Sequence, residues 1–144
     1  NEPTELAVLP NGKVIFAERK GALKVYNPKT NKTKVVAQLP VYTKFEYGLM
    51  GVGLDPDFAT NKWVYLYYSP DETREDTKDN FLSRFVYDDV KDTLLMNTEK
   101  VVLRVFVKRD ECCHTGGSID WDKSGNLFLS TGDDTNPFAS DGYA

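Results

Sequence analysis

The chain has 144 residues but only one histidine and two cysteines. Proton transfer near neutral pH and thiolate chemistry can therefore begin at very few places. Basic character is also thin, since 18 Lys and Arg are outnumbered by 22 Asp and Glu, giving a formal charge of -4 with the charges scattered along the chain. No basic stripe is available to track a phosphate backbone, so nucleic acid is not an expected partner. The longest apolar runs fall far short of the roughly 20 residues that cross a bilayer, and no membrane span is expected. Asn1-Glu2-Pro3-Thr4 lacks the charged and apolar regions of a signal peptide, although a leader already removed would leave no trace here. Long amphipathic helical periodicity bounded by caps is missing as well, which argues against a helical fold.

What is present is β-rich patterning, with 40% hydrophobic and 12% aromatic residues, enough for one core. Three segments share one plan, an alternating strand entering a turn and a strongly apolar strand leaving it. They are Leu6 to Glu18 around Asn11-Gly12, Val52 to Tyr68 around Asp55 to Asn61, and Ile119 to Thr131 around Ser124-Gly125. Leu9 and Leu54 lie one four-stranded blade apart, roughly 40 to 50 residues in propeller repeats. Leu54 to Trp121 is longer and implies an insertion, which the polar run Asp71 to Asn80 supplies as a solvated loop.

Outer strands fall in the gaps. Ala22 to Tyr26 and Thr33 to Ala37 complete the first blade, while Phe81 to Tyr87 and Lys100 to Phe106 complete the second. The expected fold is all-β, a meander-connected propeller fragment with approximate blades 1–42, 43–110 and an incomplete 111–144. Two blades and part of a third cannot close a ring, so a piece of a longer protein is expected. A complete small β-sandwich is the alternative.

Chemistry concentrates in Cys112-Cys113-His114-Thr115-Gly116-Gly117-Ser118, followed by Gly125-Asn126-Leu127-Phe128-Leu129-Ser130-Thr131-Gly132-Asp133. A lone histidine identifies no mechanism, and the plain alternative is a hydrogen-bonded strand-entrance residue before a Gly116-Gly117 turn. These segments, together with Glu5 to Gly12 and Gly48-Leu49-Met50-Gly51 to Asp55-Pro56-Asp57-Phe58, resemble the soluble quinoprotein glucose/sorbosone dehydrogenase family over essentially the whole chain.

The resemblance implies a six-bladed propeller that holds pyrroloquinoline quinone (PQQ) and calcium. It also implies that a histidine, matched here by His114, takes the proton from a sugar or polyol hydroxyl as hydride passes to the quinone. Glu46, Cys112, Cys113, Thr115 and Gly116 become candidate cofactor-binding residues. Most quinone and calcium ligands are expected outside this chain, and no metal ligand is assigned within it. A cytochrome or quinone acceptor and a periplasmic or secreted location follow from the same resemblance.

Two positions depart from the family pattern. Glu46 stands where the family's glucose oxidisers have an active-site glutamine, and a carboxylate there changes local charge. Cys113 stands where they have an aspartate beside the histidine, so the orientation of His114 must come from elsewhere.

Adjacent Cys112 and Cys113 resemble the vicinal disulfide that packs on the quinone in a different quinoprotein class, the alcohol dehydrogenases; two semi-buried thiols are the alternative. Zinc on Cys112, Cys113 and His114 is disfavoured, because consecutive residues rarely direct three ligands to one metal. Asp133-Asp134-Thr135-Asn136, with Asp141 nearby, has oxygen ligands for a hard cation but reads better as a turn. Asp55-Pro56-Asp57-Phe58 reads as a blade corner, and Trp63, Tyr65 and Tyr67 as blade packing. A non-catalytic propeller that binds carbohydrate or protein remains the alternative to a dehydrogenase.

Overall fold

The computed structural model describes residues 2–74, 78–109 and 114–133. Strands β1 (Pro3–Val8), β2 (Val14–Glu18), β3 (Ala22–Asn27) and β4 (Lys32–Gln38) form one antiparallel sheet. A second sheet contains β5 (Leu49–Leu54), β6 (Trp63–Tyr68), β7 (Asp79–Asp88) and β8 (Thr93–Phe106), with a one-turn helix α1 (Phe58–Asn61) between β5 and β6. Strands β9 (Gly116–Trp121) and β10 (Leu127–Thr131) make a third, two-stranded sheet. Every sheet is a meander in chain order, and β1, β5 and β9 lie side by side. This is the all-β blade fragment that the patterning predicts.

The repeat extends to single hydrogen bonds. The first residue after each inner strand donates its N–H across the turn: Leu9 to Lys13 O, Asp55 to Trp63 O and Asp122 to Asn126 O. In the middle corner the Asp55 carboxylate accepts from the Asp57 N–H and from Asn61 Nδ2. Asp57 makes no side-chain cap of its own, and Phe58 is buried below it.

Strand β6 explains why the sheets stack. Its sequence is apolar at every position, as a strand covered on both faces requires, and side-chain alternation divides it between two cores. Val64, Leu66 and Tyr68 pack with Ile15, Leu23 and Val25 of the first sheet. Trp63, Tyr65 and Tyr67 pack with Ile119, Trp121, Leu127 and Leu129 of the third, and the Tyr65 and Trp121 rings meet edge to face at 5.1 Å. Burying a side chain the size of Leu66 contributes about 1.5–3 kcal/mol to holding the blades together.

Two expectations and one alternative reading are corrected. Strand β8 begins at Thr93, well before Lys100, because Leu94 and Leu95 pair with Tyr87 and Val86 across irregular register. The polar run does not stay solvated to Asn80. Asp79 and Asn80 open β7, and Asn80 is fully buried, accepting from Ser69 Oγ at 2.7 Å and donating to the Tyr67 hydroxyl at 3.3 Å. A buried amide is tolerated there because its hydrogen bonds are made. Finally, Gly116 and Gly117 are strand residues of β9 and not a tight turn; Gly116 pairs with Thr131.

Candidate functional site

Glycines set the site by letting backbones touch. A Cβ on Gly51 would fall on the carbonyl oxygen of Gly117, and one on Gly117, whose φ is +129°, would lie 2.8 Å from Met50 Cβ. Only with both side chains absent can β9 lie this close to β5. That approach brings the residues before β9 over the loop before β5.

This loop is held from several sides. Arg19 Nη1 donates to the carbonyls of Thr43 and Tyr47, each at 2.9 Å, while the Arg19 carbonyl accepts from Leu49 N–H at 2.8 Å. The buried Tyr47 donates its hydroxyl to Lys108 O, and Tyr42 does the same to Arg109 O. Tyr47 N–H closes a turn onto Lys44 O at 3.1 Å, leaving Phe45 and Glu46 at its tip. Phe45 has a φ of +51° and is half exposed.

Glu46 and His114 are brought together across the sheets. The Glu46 carboxylate Oε2 accepts the backbone N–H of His114 at 2.6 Å. His114 itself has a φ of +65°, an uncommon conformation for a residue with a Cβ. Its Nδ1 lies 3.0 Å from Asp133 Oδ1, just past the end of β10. A Cβ on Gly132 would fall on the His114 carbonyl, so glycine is required between Thr131 and Asp133.

Asp133 is the residue that sequence reasoning missed, having read it as part of a turn. The usable signal was its place one hairpin away from His114, since β9 and β10 pair and their far ends must meet. Asp133 supplies a carboxylate contact to the His114 ring. Thr115 lies between His114 and β9, half-buried. Cys112, Cys113 and the segment Asp134 to Asp141 lie outside the described residues.

With Nδ1 facing a carboxylate, the neutral imidazole carries its proton on Nδ1 and leaves Nε2 as an acceptor. Among the described residues Nε2 has no partner, and the side chains that reach His114 are two carboxylates. No three His, Cys, Asp or Glu among the described residues are grouped to hold a metal ion. No helix among them is long and apolar enough to cross a membrane.

Stacked four-stranded antiparallel blades define a propeller fragment, and the comparisons agree. Residues 1–142 match the glucose/sorbosone dehydrogenase family model, and the chain belongs to that family. Aldose sugar dehydrogenase YliI of Escherichia coli is 30% identical over 98% of this chain and 38% of its own length. An uncharacterized protein of Synechocystis is 26% identical over 94% of the chain and 34% of its own length. The chain thus spans little more than a third of these curated relatives.

Among solved structures, the PQQ-bound aldose sugar dehydrogenase of Streptomyces coelicolor superposes with a TM-score of 0.81 at 28% identity, over 94% of this chain and 39% of that one. The apo-form of the soluble Escherichia coli enzyme superposes at 0.78 with 27% identity, over 98% and 41%.

Proposed function

We propose that this chain is the proton-accepting part of a PQQ-dependent sugar or polyol dehydrogenase. The observation that carries the reading is the Asp133 to His114 Nδ1 contact at 3.0 Å, with Nε2 unpartnered among the described residues. In that arrangement Nε2 accepts the proton of a substrate hydroxyl, and the Asp133 carboxylate stabilises the imidazolium that results. An imidazole has a reference pKa near 6.5, which suits it to take a proton and release it again.

When bound, PQQ supplies the two-electron acceptor that side chains lack. The described residues suit the substrate side of that chemistry and not the quinone's seat. PQQ is itself a carboxylate anion, whereas Glu46 and Asp133 place negative charge around His114. Cationic residues and calcium, proposed to belong to the rest of the whole protein, would hold it. An electron acceptor such as a cytochrome or quinone and a periplasmic or secreted location belong to the same proposal.

The test is quinone-dependent dye reduction by the full-length protein across a panel of aldoses and polyols, with and without calcium. Turnover of at least one sugar that disappears on omitting PQQ supports the reading. Sugar binding without turnover would support the non-catalytic propeller in its place.

A further inference from the structure

The geometry points to Glu46 as a positioning residue that latches the backbone of His114 in its left-handed conformation, with its reach rather than its negative charge as the operative property. This inference rests on the proposed role of His114 as the proton acceptor.

The histidine ring is not caged by packing, since its side chain is 46% exposed. Its direction must come from tethers. Two of them, the Asp133 contact and the seat of the His114 carbonyl against Gly132, arise within one hairpin and move with it. The third is the bond from His114 N–H to Glu46, which comes from 68 positions away in the chain. Among the described residues it is the hydrogen bond that ties the His114 backbone directly to the loop before the second sheet.

Positive φ at a residue bearing a Cβ persists only where its surroundings impose it. Here φ is +65°, and the amide so presented points at the Glu46 carboxylate. The bond, 2.6 Å long, restrains the disfavoured backbone from outside the hairpin. Glu46 is itself fixed, because it sits at the tip of the Lys44 to Tyr47 turn braced by Arg19. If the latch opens, φ relaxes, the Cα–Cβ direction rotates and Nδ1 leaves Asp133. The latch needs one acceptor oxygen at the end of a four-bond arm. Glutamine provides it, whereas aspartate keeps the charge but falls short.

The experiment compares Glu46→Ala, Glu46→Asp and Glu46→Gln in the full-length protein, with hydrogen exchange of the His114 amide and steady-state kinetics as readouts. Exchange at His114 is expected to quicken by about 10-fold or more in the Ala and Asp variants and to stay within about 3-fold of the parent in Gln. In the kinetics, kcat is expected to fall by about 10-fold or more in Ala and Asp while KM changes less than about 3-fold, with Gln recovering most of the loss. Unchanged exchange in Glu46→Ala, or rescue by Asp but not by Gln, overturns the latch. A rise in KM at constant kcat also overturns it and makes Glu46 a substrate ligand. If the parent shows no quinone-dependent turnover but the exchange pattern holds, the latch stands and the proposed dehydrogenase reading falls.

Discussion

Asp133 faces Nδ1 of His114 because the β9–β10 hairpin slips by one residue near its open end. Leu127, Phe128 and Leu129 oppose Trp121, Asp120 and Ile119, but the register shifts before Thr131 meets Gly116. Without that bulge, position 134 and not 133 would stand opposite His114. Bulges commonly re-aim a side chain beside a site, and here the bulge chooses which of two consecutive aspartates orients the imidazole.

Replacing His114 with alanine in the full-length protein should leave it folded and lower quinone-dependent turnover by roughly 100-fold or more. Asp133→Ala should lower it by about 10-fold or more, and the double variant should be little worse than His114→Ala alone, because Asp133 acts through the imidazole. Additive losses would mean that the two residues work separately.

Gly117→Ala places a Cβ 2.8 Å from Met50 Cβ and 3.1 Å from Tyr67 Cδ1, at a φ of +129°. Overpacking and backbone strain together should destabilise the fold by about 1–3 kcal/mol. The midpoint of urea unfolding measures this, and an unchanged midpoint would refute the close approach of β5 and β9.

Alkaline pH should weaken the fold through its buried tyrosines. Burial first, then the hydrogen bond to Asp55, pushes the Tyr65 phenol up to about 12. Tyr68 and Tyr87 are raised too, chiefly by burial and then by their bonds to Glu99 and Asp92. The unfolded chain ionises near 10, so the folded state holds these protons more tightly above that pH. The stability they contribute is complete below pH 10 and declines as pH rises toward 12. Urea midpoints across that range should fall, and less steeply in Tyr65→Phe; an identical slope in the variant would rule out Tyr65 as a contributor.

In an oxidising compartment Cys112 and Cys113 should be joined to each other, since adjacency gives a very high effective concentration and the chain has no third cysteine. So short a loop removes little entropy from the unfolded chain, so reduction should alter turnover more than stability. Intact mass after alkylation without reductant decides the pairing, and two alkylated thiols would exclude it.

The 144-residue chain by itself should associate in solution. Leu6, Val8 and Val35 lie on the face of the first sheet turned away from the second and are 59%, 61% and 53% exposed. Sheet faces this apolar tend to find partners. Sedimentation showing a monodisperse monomer at high concentration would argue against this expectation.

The sequence by itself determined most of the strands, their hairpin order and the repeat of blades. Alternation and turn residues are local signals, as in Val14 to Glu18 or around Asn11-Gly12, and Trp63 to Tyr68 is apolar throughout because both of its faces are covered. It also singled out His114, the one histidine of the chain, as the candidate for proton transfer. Tertiary structure alone decided what surrounds that residue. The β9–β10 bulge selected Asp133, and the contact of Gly51 with Gly117 brought Glu46 to the His114 amide across 68 positions. Register slips and backbone approaches depend on how whole sheets pack, and no local pattern in a sequence encodes a distance between strands that are far apart in the chain.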